Sequence, residues 1–242
     1  MTCVITQWYG RFGNNIIQLS KALQICKIEN IKTLSFPSHP MLDSVTITLE
    51  GESFAPLARS GLFFYEDHKL APKDIRELCI KYITPILRLK PIDNYTDIVV
   101  HLRGGDIFSN NPHPAYVQPP LSYYKNILSS RPATIVYEDT KNPCFFKLRD
   151  KPNTLYHSGT LEDDFNLLLH AKEVVAGFGT FCLAVYMLSI HIKVLHLPQW
   201  FYDTCPQGDW GDVKVHTHKI DGYIKPGEWK NTPEQIDIML NF

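Results

Sequence analysis

No run in this sequence approaches the roughly 18 consecutive apolar residues that a membrane-spanning helix needs, so no membrane span is expected. An excess of charge of one sign is also missing. The chain carries 24 Lys and Arg against 25 Asp and Glu, a formal net charge of -1, so no global field draws it to nucleic acid or to an acidic membrane. Any anion it holds must be caught by a local site. The six cysteines, Cys3, Cys26, Cys79, Cys144, Cys182 and Cys205, are scattered and form no C-x-x-C pair, which argues against a zinc knuckle and a compact disulfide framework. They are expected to be reduced and structural. The stretch Met1 to Thr6 lacks the basic flank and apolar run of a signal peptide, so the expected location is cytoplasmic. On that expectation the sequon Asn94-Tyr95-Thr96 is incidental.

What is present is enough apolar material to fold. With 242 residues, 44% of them hydrophobic, the chain can bury one large core or two small ones. Residues 3 to 9 read as a β-branched strand, followed by the turn Gly10-Arg11-Phe12-Gly13-Asn14 and by Ile16, Ile17, Leu19, Leu23 and Ile25 at near-helical spacing. Leu34-Ser35-Phe36 and Thr46 to Leu49 read as further strands, and a helix is predicted from Pro72. Pro91-Ile92-Asp93-Asn94 is turn-prone and reads as a linker. Beyond it the alternation resumes: strand at 98–102, helix near 121–129, strand at 134–137, helix at 161–172, strand at 174–176, helix at 180–190 and strand at 193–197. Such alternation favours a parallel sheet with helices on both faces. The stretch from Cys205 to Glu228 lacks periodic apolar residues. Thr232-Pro233-Glu234-Gln235 then reads as an N-cap, a Pro at the first helical position and a final short helix. The expected domains are 1–93, 94–204 and a tail, 205–242, that returns toward the first lobe.

Three segments can carry chemistry. In Gly10-Arg11-Phe12-Gly13-Asn14-Asn15 the glycines permit close ligand approach and the helix start offers unpaired N–H groups, yet such a turn is equally well structural. In His101-Leu102-Arg103-Gly104-Gly105-Asp106 a guanidinium, two glycines and a carboxylate follow a buried strand, where ligands bind in open α/β sheets. Arginine suits a diphosphate because its planar fork donates paired hydrogen bonds. The alternative is that Arg103 and Asp106 merely pair with each other. In Ala176-Gly177-Phe178-Gly179-Thr180-Phe181-Cys182 the backbone N–H groups and Thr180 could meet a phosphate at a helix N-terminus, or Thr180 could simply cap the helix. Other polar groups read more blandly. His216 and His218 alternate on one strand face but spacing suggests no third metal ligand, and Asp163-Asp164 marks the first turn of a helix. Asp163, Asp164, Trp8 and Trp210 could also line a ligand cleft.

The first two segments resemble peptides of the fucosyltransferase superfamily. Gly10 to Gln18 resembles the G-R-[LF]-G-N-Q-x-x-Q opening of α1,2-fucosyltransferases and protein O-fucosyltransferases, and His101 to Asp106 resembles their H-x-R-R-G-D. Tyr123-Tyr124, Val136-Tyr137-Glu138-Asp139, Leu161 to Leu168 with Val174-Val175-Ala176, and Leu197-Pro198-Gln199-Trp200-Phe201 resemble later peptides in the same order, from about residue 4 to 201. The resemblance implies a compact GT-B-like α/β fold, two Rossmann-like lobes with a nucleotide cleft between them. It also implies inverting, metal-independent transfer of a sugar from GDP-fucose or a related nucleotide sugar to a glycan acceptor. No permanently bound cofactor and no metal are implied. Carried over, Arg103 would hold the β-phosphate, with Gly104 and Gly105 beside it. Asp139 would contact the base, Gly179, Thr180 and Phe181 would form the phosphate loop, and Asn14 would face the reacting centre. Arg11 and Gly13 accompany Asn14, and Arg11 could add positive charge. Asp106 and His101 are the candidates for general base. Gly104 stands where the α1,2 class has a second Arg, and the loop from Gly177 to Cys182 lacks that family's serines. Two rival readings follow: a carbohydrate-binding protein that has lost catalysis, and an enzyme of another donor. A kinase is disfavoured because the P-loop spacing is missing. A chain without an anchor suits glycan assembly in a bacterium or a virus-like setting.

Overall fold

The computed structural model describes residues 2–51, 58–90 and 97–242; the linker at 91–94 and the sequon at 94–96 lie outside them. The chain divides into two compact units. One comprises Met1–Pro91, Leu183–Ile190 and Pro206–Gly211, the other Ile92–Cys182, His191–Cys205 and Asp212–Phe242.

The first unit is built on a four-stranded sheet of order β3-β2-β1-β4, with β1 Thr2–Ile5, β2 Thr33–Ser35, β3 Thr46–Thr48 and β4 Arg59–Gly61. β1 pairs parallel with β2 and β4, and only β3 runs antiparallel. The strand expected over 3–9 stops at Ile5. Past it the buried Gln18 side chain takes over the backbone, accepting from the Tyr9 N–H at 2.8 Å and donating to the carbonyls of Gln7 and Leu62 at 3.1 and 2.8 Å. Helix α1, Phe12–Ile28, buries residues around most of its circumference, as a helix enclosed in a core does. Helix α2, Pro72–Tyr82, starts with Pro at its first turn and buries Ile75 and Cys79. β4 was not foreseen, since Arg-Ser-Gly has no strand pattern and is recruited by pairing with β1.

The second unit holds six parallel strands in the order β10-β9-β8-β5-β6-β7. They are β5 Ile98–Leu102, β6 Ala133–Tyr137, β7 Thr154–His157, β8 Glu173–Ala176, β9 Val194–Pro198 and β10 Lys214–His218. The continuous apolar runs of β5 and β8 fit strands covered on both faces. Crossovers include α3 Leu121–Leu128, α4 Cys144–Arg149, α5 Leu161–His170 and α6 Thr180–Leu188; α7 Gln199–Tyr202 follows β9. α5 opens on a capping box between Thr160 and Asp163, in line with the first-turn reading of the acidic pair. β5, the earliest strand, lies between β6 and β8, so the order reverses there.

The tail departs from expectation. Residues 214–218, within the stretch read as irregular, form the edge strand β10, pairing His216 with His196. The last helix, α8 Pro233–Asn241, is capped by Thr232 as expected and packs on α3 within the second unit. Tyr223, Ile224, Trp229 and Met239 are buried in that unit's core. Trp229 donates to the Ile107 carbonyl at 2.8 Å and Tyr223 to the Gln118 carbonyl at 3.0 Å. Glycines and prolines between these residues hide the pattern. All six cysteines are buried, and among the described residues none is in a disulfide. Among the described residues no helix is long and apolar enough to cross a membrane.

Candidate functional site

The reversal of strand order puts the ends of β5 and β8 side by side, with His101 in register with Ala176. In open α/β sheets the crevice beyond such a switch point is where ligands bind. Arg103 is the first residue past β5, and Gly177-Phe178-Gly179 the first past β8. The Arg103 side chain reaches across, donating from Nη1 to the Phe178 carbonyl at 3.3 Å, with its guanidinium 4.8 Å from the centre of the Tyr116 ring. Nη2 lies 3.5 Å from the Asp106 carboxylate, which is 55% exposed against 19% for Arg103. A pair that long and that wet is weak and leaves the cation largely uncompensated. Further N–H groups of the fork are not engaged among the described residues.

Gly179 explains how the guanidinium fits. Its φ is +143°, and a Cβ there would stand 2.5 Å from Nη1 of Arg103. Thr180 then opens α6, so the guanidinium sits beside the positive end of a helix. Two positive features side by side favour an anion that both can share.

Other residues hold this arrangement, and the sequence did not single them out. The carboxamide of Gln118, fully buried, grips both sides of Phe178: it accepts from the backbone N–H at 3.2 Å and donates to the carbonyl at 3.3 Å. Asn142, also fully buried, donates to the Arg103 carbonyl at 2.9 Å and accepts from the Cys144 N–H at 3.0 Å. Neither belongs to a recognisable pattern; each is a lone amide in an irregular connecting segment.

The remaining expected residues fall into two groups. Asp139, expected against a base, receives the N–H groups of Gly105 at 3.2 Å and Lys141 at 2.9 Å, so its carboxylate fastens the β5 loop. That carboxylate also fills the space a side chain at Gly104 would need, which explains why no second Arg follows Arg103. Gly105 has φ +69° and faces Glu138. The His101 ring packs on Phe181 at 5.1 Å, and Phe181 on Phe165 at 5.2 Å. Loss of water, with the Arg103 charge added, lowers His101 to about 3. A ring so reluctant to take a proton is a weak general base. Arg11, Gly13 and Asn14 lie in the first unit. Arg11 is exposed and extended ahead of α1, and Gly13 is buried in its first turn. Gly10, at φ +67°, makes room for the Asn14 side chain over the turn. Trp210 is buried against Tyr186 rather than facing a cleft.

His216 and His218 gain a neighbour in space. His196 Nδ1 lies 2.9 Å from His218 Nε2, and His196 Nε2 lies 2.9 Å from Glu173, which receives Arg131 at 2.8 Å. Burial pushes His196 down to about 4 against the pull of Glu173. Burial alone would raise Glu173, but Arg131 and His196 outweigh it and hold it below the usual carboxylate range. Among the described residues no group of three His, Cys, Asp or Glu side chains could hold a metal ion.

No protein-family model and no curated protein matches the chain. Among solved structures, the E. coli heptosyltransferase WaaC with ADP is similar over 92% of this chain and 94% of its own, with 9% identity and a TM-score of 0.44. A likeness that remote decides neither the details of the fold nor the chemistry.

Proposed function

We propose that this protein is a glycosyltransferase of the inverting, metal-independent kind, moving a sugar from a nucleoside diphosphate donor, best matched by GDP-fucose, to a hydroxyl of a glycan. The observation that carries the reading is Arg103. It stands at the switch point of a parallel sheet beside the start of α6, weakly paired and with donors to spare. In the transfer, the bond between the anomeric carbon and the β-phosphate oxygen breaks and the departing diphosphate keeps the electron pair. The acceptor hydroxyl forms the new bond on the opposite face and gives up its proton. Arg103 and the N–H groups around Gly179, Thr180 and Phe181 offset the charge gathering on the diphosphate. Asp106 suits the base better than the depressed His101 does. Asp139, Asn142 and Gln118 keep the loops in place. Arg11, Gly13 and Asn14 belong, by resemblance, to the acceptor side.

The test is release of nucleoside diphosphate from a panel of GDP-, UDP- and dTDP-sugars. One donor, expected to be a GDP-sugar, is consumed, and Arg103→Ala lowers turnover roughly a hundred- to a thousandfold. Equal rates in the variant overturn the reading. A second reading, a glycan-binding protein without turnover, draws on the single arginine, since Gly104 has no room for another. It predicts glycan binding with every donor left intact.

A further inference from the structure

A pocket of about 540 Å3 opens within the first unit, with Ser38, His39, Leu42, Asp43, Val45 and Arg88 in its wall. That volume is in the range of small-molecule sites, roughly 300–1,000 Å3. The wall is prebuilt. The Asp43 N–H donates to the Ile86 carbonyl at 2.8 Å, the Arg88 N–H to the Met41 carbonyl at 3.0 Å, and Leu42 bridges Leu87. Trp8 donates to the Ser38 carbonyl at 3.1 Å and meets the His39 ring edge-on at 5.6 Å, while Phe12 lies 5.3 Å from the same ring.

The chemistry of the wall narrows the ligand. Asp43 and Arg88 pair directly with each other while their side chains stay 60% and 55% exposed. Their charges cancel, so neither an anion nor a cation is favoured. Carboxylate and guanidinium side by side present an acceptor next to donors, which suits a group that both donates and accepts, as a hydroxyl does. His39 Nδ1 accepts from the Met41 N–H at 3.1 Å, and burial holds the ring below its ordinary range, so it is neutral with its proton on Nε2. Leu42 and Val45 add apolar surface for a C–H face. We infer that this pocket binds one residue of a neutral saccharide, through the paired Asp43 and Arg88 and the apolar Leu42 and Val45. Saccharide binding stands on the pocket alone; its role as the acceptor subsite rests on the proposed function.

The test is saturation-transfer NMR on the full chain without nucleotide, using methyl glycosides of glucose, galactose, mannose, fucose and N-acetylglucosamine, with inorganic phosphate as the anionic control. At least one glycoside should bind saturably and phosphate should not compete. Asp43→Asn and Arg88→Met should each weaken binding about tenfold. Val45→Trp should block the pocket, and Arg103→Ala should leave binding unchanged. Melting curves that match the unsubstituted chain establish that the variants are folded. Absence of saturable binding, preference for phosphate, or indifference to all three pocket substitutions overturns the assignment. Glycoside binding without consumption of any donor keeps the pocket and sinks the transferase reading, so the two fail separately.

Discussion

Two strand-to-turn segments, Gly10–Asn15 in the first unit and Arg103–Asp106 in the second, look alike on paper: each places glycines and polar side chains just past a buried strand. They do different work. In the first, two buried amides serve the backbone while Arg11 stays exposed. Buried Asn15 donates to the Tyr9 carbonyl at 3.0 Å, and Gln18, one turn on, bonds to three backbone groups. In the second, residues from other elements hold the backbone. Asp139 takes Gly105, Asn142 takes Arg103 and Gln118 takes Phe178. The Arg103 backbone is therefore held by other residues, and beyond its bond to the Phe178 carbonyl and the long contact with Asp106 its side chain keeps donors for a ligand.

Substitutions should split the two segments by kind of effect. Arg103→Ala is expected to abolish most turnover, by the hundred- to thousandfold given above, while the melting temperature barely moves. A variant that unfolds instead would break the contrast. Gln18→Leu should do the reverse. It strips partners from three partly buried backbone groups and should cost on the order of 2 kcal/mol in urea unfolding, without selectively weakening nucleotide binding in the molecules still folded. An unchanged unfolding midpoint would show that the first turn does not need it. Gly179→Ala sits between these extremes. Its methyl group must displace the Arg103 head, so turnover should fall roughly ten- to a hundredfold with the fold retained. Full activity in that variant would mean the contact between Gly179 and Arg103 does not matter.

The smallest effect concerns pH. His101 and His196 in the second unit are lowered to about 3 and about 4, and His68 in the first, buried beside Lys21, to about 4. An unfolded histidine titrates near about 6.5, so the unfolded chain takes up protons that the folded one refuses. The stability these groups contribute is whole above that value and is lost as pH falls from it toward the folded values. Melting temperature should therefore drop by several degrees between neutral pH and mildly acidic buffer, and His196→Gln should flatten part of the slope. A melting temperature that holds or rises on acidification would contradict these directions.

Much of the second unit was legible. The apolar runs at 98–100 and 174–176, the glycines after them and the capped helix at 233 are local features, and local features survive in a sequence. Strand order does not. Nothing in residues 98–102 says that β5 lies between β6 and β8, because that neighbour relation depends on pairing across distant segments. Arg103 could thus be singled out as a candidate ligand for a phosphate, but its reach to Phe178 and its place beside Tyr116 could not be read from the sequence. Gln118 and Asn142 were hidden for a different reason. A buried amide that holds two loops looks the same in sequence as one in solvent. In the Gly10 segment the pattern left a structural and a ligand-binding reading side by side, and sequence alone could not show that Asn15 and Gln18 would bond to the neighbouring backbone.

The most direct measurement is calorimetric titration of GDP into the unsubstituted chain and into Arg103→Ala, with folding of both checked by melting. A diphosphate held by Arg103 and the start of α6 gives clear binding in the first and affinity at least about tenfold weaker in the second. Equal affinity in the two, or no binding of GDP, UDP or dTDP to the unsubstituted chain, would show that the switch point is not a nucleotide site.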